Sequence, residues 1–141
     1  MRFWDSSAIV PLLVTEPKTR TMAGLLRSHK ECWTWWTTRT ECLSSLHRRV
    51  RAGDLEAAQL ETARRRLLGF DQAAAVVVPS EEIRTRADRL LGIHPLRAAD
   101  ALQLAALLAA AEERPADLPF VTLDDRLADA ARREGFPVLP D

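Results

Sequence analysis

The sequence predicts an α/β fold: a parallel sheet of about four to five short strands, flanked by helices on both faces. Three observations predict it. Short apolar runs alternate with longer segments of helical periodicity. One run, Ala75-Val76-Val77-Val78 before Pro79, is apolar at every position, as a strand covered from two sides must be. No repeat, linker or low-complexity tract breaks residues 1–141, which therefore read as one domain.

Arg2-Phe3-Trp4 reads as the first strand and runs into Asp5-Ser6-Ser7. Residues 8–14 are apolar around Pro11, and residues 16–28 read as a helix with Met22, Leu25 and Leu26 on one side. The tryptophan- and threonine-rich ECWTWWT, residues 31–37, reads as the second strand. Residues 38–50 predict a helix with Cys42, Leu43, Leu46 and Val50 near one face, closed by Gly53. Asp54 is the expected cap of the next helix, residues 55–68, ending at Gly69, and these two helices are expected to form an antiparallel hairpin. After the valine strand, Ser80-Glu81-Glu82 offers a cap and a dipole-matched first turn for a helix through Leu91. Gly92 and Pro95 interrupt, and an alanine/leucine helix follows over about residues 96–113. Residues 118–123 read as the fourth strand, residues 124–134 as a helix ended by Gly135, and Pro137-Val138-Leu139 as a short last strand.

Composition narrows the function classes. Hydrophobic residues make up 47% and charged residues 28% of the chain, a globular rather than a disordered balance. Twenty basic and twenty acidic side chains cancel, which argues against coating nucleic acid through bulk positive charge. All the basic residues except Lys18 and Lys30 are arginines, the residue better suited to bidentate phosphate contacts. Cys32 and Cys42 lack metal-site spacing and predict reduced thiols in a cytoplasmic protein. A charge at position 5 interrupts any signal-peptide core, and no apolar run approaches the roughly 20 residues of a membrane span, so a soluble chain is expected.

In an open parallel sheet, ligands bind beyond the carboxyl ends of the strands. Asp5 and Asp124 end the first and fourth strands, and Glu41 and Asp100 lie in early helix turns that can face the same edge. Such carboxylates repel one another unless a cation or protons intervene. Oxygen-only ligands favour Mg²⁺ or Mn²⁺, and His29, His47 and His94 are not placed to suggest zinc. A divalent cation there would suit phosphodiester hydrolysis. Each acid also has a plainer reading. Asp5 can be a turn or cap residue, Glu41 a surface partner of Arg48, and Asp124 or Asp125 a helix cap. Asp100 can belong to a solvated stripe with Arg97 and Gln103.

Four segments resemble, in order and spacing, the PIN-domain ribonucleases and specifically the VapC toxins of toxin–antitoxin pairs. They are Phe3-Trp4-Asp5-Ser6-Ser7; Thr40-Glu41; Leu96-Arg97-Ala98-Ala99-Asp100-Ala101-Leu102-Gln103-Leu104-Ala105; and Phe120-Val121-Thr122-Leu123-Asp124-Asp125-Arg126-Leu127-Ala128, with Gly135-Phe136-Pro137-Val138 after it. The resemblance covers nearly the whole chain. It implies a Mg²⁺- or Mn²⁺-dependent endoribonuclease whose catalytic and metal-binding acids are Asp5, Glu41, Asp100 and Asp124. Ser6, Ser7 and Thr122 become supports that orient carboxylates or water, and Asp125 an extra acid available as a helix cap. It also implies a homodimer, an RNA substrate, and a cognate antitoxin whose terminal segment blocks the groove. Within that reading Arg39, Arg48, Arg49, Arg51 and Arg97 are candidates for phosphate contacts, each also readable as a solvated helix residue. Trp33, Trp35 and Trp36 invite base stacking, but packing in the core or a dimer ranks higher.

Two other functions compete. A small-molecule phosphatase favours D-x-D at the end of the first strand, but Ser7 occupies the third position. A catalytically silent PIN-fold binding module keeps the fold without the chemistry, against which stands the presence of all four acids.

Overall fold

The computed structural model describes residues 1–141. Five parallel strands form one sheet: β1 (Arg2–Trp4), β2 (Cys32–Trp35), β3 (Ala75–Val77), β4 (Phe120–Val121) and β5 (Val138–Leu139), in the order β3-β2-β1-β4-β5. Seven helices complete the chain: α1 (Ser6–Leu13), α2 (Thr19–Ser28), α3 (Thr38–Arg51), α4 (Ala57–Ala73), α5 (Glu81–Leu91), α6 (Ala98–Ala111) and α7 (Asp125–Arg133). The chain leaves β1 in one direction to build β2 and β3, then crosses over to build β4 and β5 on the other side. The order therefore reverses between β1 and β4, and a crevice opens beyond their carboxyl ends.

The pleat of β1 divides the core. Phe3 pairs with Phe120 and faces α5, α6 and α7, in a cluster that includes Leu90, Leu104, Leu107 and Leu127. Trp4 pairs with Val121 on the opposite face, among Ile9, Leu13, Met22, Leu46 and Leu67 of α1 to α4. Successive side chains of a strand point to opposite faces, so two adjacent aromatics nucleate two cores. Trp35 is buried in the first cluster and Trp33 packs against it, whereas Trp36 is 60% exposed. Neither cysteine is in a disulfide, and both are buried. No helix is long and apolar enough to cross a membrane.

Several expectations need correction. The apolar segment around Pro11 is a helix, capped by the Asp5 side chain and stopped at Leu13, two residues past the proline that interrupts its hydrogen bonds. The next helix begins at Thr19 rather than residue 16; the Thr19 hydroxyl accepts from the Glu16 N–H at 2.8 Å and fixes the turn before it. Asp54 does not cap α4. Glu56 does, with the Gln59 side chain accepting from the Glu56 N–H at 2.8 Å. Gly69 lies inside α4 rather than at its end. The Ala/Leu helix and the fourth strand are shorter than expected, and Gln103 is buried rather than on a solvated stripe. Gly53 and Gly135 do close α3 and α7, each at a left-handed φ that other residues rarely adopt (81° and 95°). Ser80 caps α5, its hydroxyl accepting from the Ile83 N–H.

The environment of Gly69 makes a direct test. It is exposed, and a Cβ built there meets nothing within 4 Å. Gly69→Ala is expected to stabilise the protein by about 0.5–1 kcal/mol, read as a shifted midpoint in urea with an unchanged slope. A destabilised variant would contradict a continuous α4.

Candidate active site

Asp5 follows β1 at the crevice and is 6% exposed. Its Oδ2 accepts from the Ser7 N–H at 3.2 Å, from the Ser7 hydroxyl, and from the Thr122 hydroxyl at 3.0 Å. Both hydroxyls are themselves oriented from behind. Ser7 Oγ accepts from the Leu123 N–H at 2.8 Å, and Thr122 Oγ1 accepts from the Asp124 N–H at 3.1 Å. The result is a relay from the backbone after β4, through two hydroxyls, to one oxygen of Asp5. Its Oδ1 has only the Ser6 hydroxyl, at 3.5 Å, and stays available.

Glu41, in the first turn of α3, sits beside it. Ser6 Oγ donates to Glu41 Oε2 at 3.1 Å and so lies between the two carboxyl groups. The Thr37 hydroxyl donates to Glu41 Oε1 at 2.8 Å. Burial pushes the Glu41 carboxyl above the ordinary range, and the nearby charges of Asp5 and Asp100 push it further, against the hydrogen bonds from Thr37 and Ser6. Burial likewise raises Asp5, against the donors from Ser7, Thr122 and Ser6. Cys42, behind them on α3, is raised chiefly by burial and then by the Asp5, Glu41 and Asp71 charges.

Asp100 is half-buried at the start of α6, where its Oδ2 accepts from the Arg97 N–H at 3.2 Å. The Arg97 guanidinium is exposed and makes no ion pair, so the expected Arg97–Asp100 contact is made by the backbone. Asp124 stands apart: it is exposed, and its Oδ1 caps α7 by accepting from the Leu127 N–H at 3.1 Å. The cap is therefore Asp124, and Asp125 is the first helical residue, exposed beside Lys18 and Thr122. Glu41 does not pair with Arg48. None of Asp5, Glu41, Asp100 and Asp124 has a basic partner within 4.0 Å among the ion pairs of the chain.

The fold thus places Glu41 within reach of the charges of both Asp5 and Asp100 and leaves Asp124 at the margin, engaged as a helix cap. No three His, Cys, Asp or Glu side chains are grouped closely enough to cage a metal. That arrangement suits a hydrated cation taking one or two carboxylates and completing its shell with water, the habit of Mg²⁺. It does not suit zinc, which wants three or four protein ligands. His94, the one buried histidine, is bound to Glu134 at 2.6 Å and serves the fold. Thr37 is a site residue that the sequence reading missed. Its signal was a hydroxyl four residues before Glu41, one helical turn away.

Comparison with known structures agrees with this architecture. A Pyrobaculum aerophilum protein, PAE2754, superposes with a TM-score of 0.66 at 17% identity over 98% of this chain and 88% of that one. A toxin–antitoxin complex from Klebsiella pneumoniae gives 0.65 at 16% identity over 99% and 96%. FitAcB from Neisseria gonorrhoeae gives 0.64 at 17% over 98% and 96%. At such identities the likeness concerns the fold. No curated protein is detectably similar in sequence. The family model that matches is the PIN domain, over residues 2–133, nearly the entire chain, and the protein belongs to the PIN-domain family.

Proposed function

We propose that this protein is a Mg²⁺- or Mn²⁺-dependent endoribonuclease, the toxin of a VapBC-type toxin–antitoxin pair. One observation carries the reading: a buried, hydroxyl-oriented Asp5 beside Glu41, with Asp100 in turn near Glu41, and no basic side chain to balance them. Membership of the PIN family, whose members are generally nucleases, supports the same chemistry.

Asp5 Oδ1 would bind the cation directly, and Glu41, Asp100 and, from the margin, Asp124 would hold it through the waters that complete its shell. When bound, the cation supplies charge neutralisation for a phosphodiester and acidifies a water. The chain's own residues do the rest. Ser7 and Thr122 fix the plane of the Asp5 carboxylate, and Thr37 and Ser6 fix that of Glu41. Asp100 and Glu41, both part-exposed, can accept a proton from water at the mouth of the crevice.

An antitoxin partner follows from the same reading, since one structural neighbour is a toxin–antitoxin complex. An arginine offered by such a partner would find uncompensated carboxylates. A homodimer is also part of it, supported by Trp36 and Val78, apolar and exposed at adjoining strand ends. Action in the cytoplasm accords with two free, buried thiols.

Linkage gives a test independent of RNA. Because the folded values of Asp5 and Glu41 are raised, the folded chain holds these protons more tightly than the unfolded chain does. The stability they contribute is complete below the unfolded carboxylate range, near pH 4, and is lost as pH rises through the raised values. In Asp5→Asn, the amide oxygen can keep all three donors while the charge is gone. In chelator, this variant is therefore expected to melt higher than wild type at neutral pH, with the difference shrinking towards pH 4. Added Mg²⁺ or Mn²⁺ is expected to raise the wild-type melting temperature and leave the variant unchanged. Equal responses of the two proteins would remove Asp5 from the cation site.

Activity gives the second test. Purified protein is expected to cut single-stranded RNA only with Mg²⁺ or Mn²⁺, and Asp5→Asn and Asp100→Asn to abolish cutting. Thr122→Val is expected to cost about 10–100-fold, the usual effect of losing a group that orients a metal ligand. Cation binding without cleavage across a broad RNA panel would favour a silent PIN-fold binding module.

A further inference from the structure

A polar groove of about 450 Å³ opens directly from the acids along α3. Glu41 and Ser6 form one end, and Ser44, Ser45 and Arg48 continue it; Val10 is its sole apolar wall. Positions 41, 44, 45 and 48 follow the i, i+3, i+4, i+7 spacing that places them on one face of the helix. From Glu41 to Arg48 the helix rises about 10 Å, so the groove begins at the acids and ends at a guanidinium two turns away.

The charges within it are unequal. Arg49, also on the groove, is paired with Glu16 and is neutralised. Arg48 is exposed and has no ion pair and no hydrogen bond to the protein. The Ser44 and Ser45 hydroxyls are likewise without protein partners, although serine in mid-helix commonly bonds back to its own backbone. The groove therefore presents one unspent guanidinium and two unspent hydroxyls beside carboxylates that call for a cation. A guanidinium with flanking hydroxyls matches the oxygens of a phosphodiester, which position a strand without reading its bases.

We propose that this groove is a phosphate subsite for a single-stranded RNA backbone. Arg48, with Ser44 and Ser45, holds a phosphodiester next to the one presented at Asp5, Glu41 and Asp100, and so sets the direction of the strand across the crevice. The proposal rests on the ribonuclease reading above. Arg48 acts as a positioning residue, because the reacting atoms lie two helical turns away.

Cleavage of a fluorogenic RNA of ten nucleotides is the measurement, with KM and kcat separated and repeated over a range of salt. Arg48→Gln is expected to raise KM about 10-fold, as the loss of a charge-assisted hydrogen bond does, with kcat within twofold of wild type. The salt dependence of log(kcat/KM) should fall by about 0.7, the share of one phosphate contact on a single strand. Ser44→Ala/Ser45→Ala should raise KM in the same direction. Arg133→Gln, an exposed and unpaired arginine on α7, serves as the control and should change neither quantity. If Arg48→Gln keeps the wild-type KM and salt slope, the subsite is refuted, while loss of cleavage in Asp5→Asn still upholds the ribonuclease. If wild type cuts no RNA, fluorescence anisotropy of the same oligonucleotide decides. Weaker binding by Arg48→Gln than by wild type sustains the groove, and equal or absent binding overturns it.

Discussion

A carboxylate buried without a basic partner is costly, and Asp5 is one. The fold offsets that cost locally. Three donors converge on Oδ2, two of them hydroxyls whose own oxygens are engaged by backbone N–H groups after β4. Asp5 also caps α1 through the Ser7 N–H and continues the ladder by donating its own N–H to the Val121 carbonyl. One side chain thus joins β1, α1 and the end of β4 at the place where the sheet order reverses. The strand register and the separation of the two cores by Phe3 and Trp4 meet at the same point. What the donors leave free is Oδ1, which faces only the Ser6 hydroxyl at 3.5 Å.

Helix α6 fixes the other half of the crevice. Ala101, Leu104, Ala105, Ala106 and Leu107 are buried, and their mostly small side chains let the helix lie close to its neighbours. A well-packed helix holds its first turn at a fixed position, so the Asp100 carboxylate is presented to the crevice from a rigid support. Gln103, one turn further, is buried with neither amide atom bonded to protein. A buried amide in that state costs about 1–3 kcal/mol, so the segment is not optimised for stability alone. The polar stripe of Arg97, Asp100 and Gln103 accordingly passes from solvent to core within two turns, rather than along a wetted surface.

Features written in local chemistry were legible in the sequence. The position of Asp5 after a short apolar strand, the Ser80 cap, and the glycines after α3 and α7 depend on neighbours a few residues away. So did the parallel sheet, through the continuous apolar run before Pro79. Features decided by tertiary contacts were not legible. The segment around Pro11 read only as apolar, with no element assigned, whereas the Asp5 cap and burial against α3 and α4 make it a helix. Gly69 looked like a terminus, but the packing of Leu67 and Phe70 carries α4 past it. Four acids could be assigned to one edge and a cap to Asp124 or Asp125, but pattern could not choose between those two or show that Asp5 is held by side chains from two elements. Thr37 and the empty hand of Arg48 became visible only once the partners of Glu41 were known.

The neutral net charge takes on a different meaning when charges are followed to their partners. Glu16 and Arg49, Arg39 and Asp71, and Arg86 with Glu82 and Glu113 cancel one another at the surface. The acids at the crevice cancel with nothing, and Arg48 beside them cancels with nothing either. An overall balance of twenty against twenty therefore conceals a local dipole, negative at the strand ends and positive two turns along α3. A cation at the first pole and a phosphate at the second would each find an unpaired opposite charge. A chain of phosphates carrying its own cation satisfies both poles at once, and a neutral ligand satisfies neither.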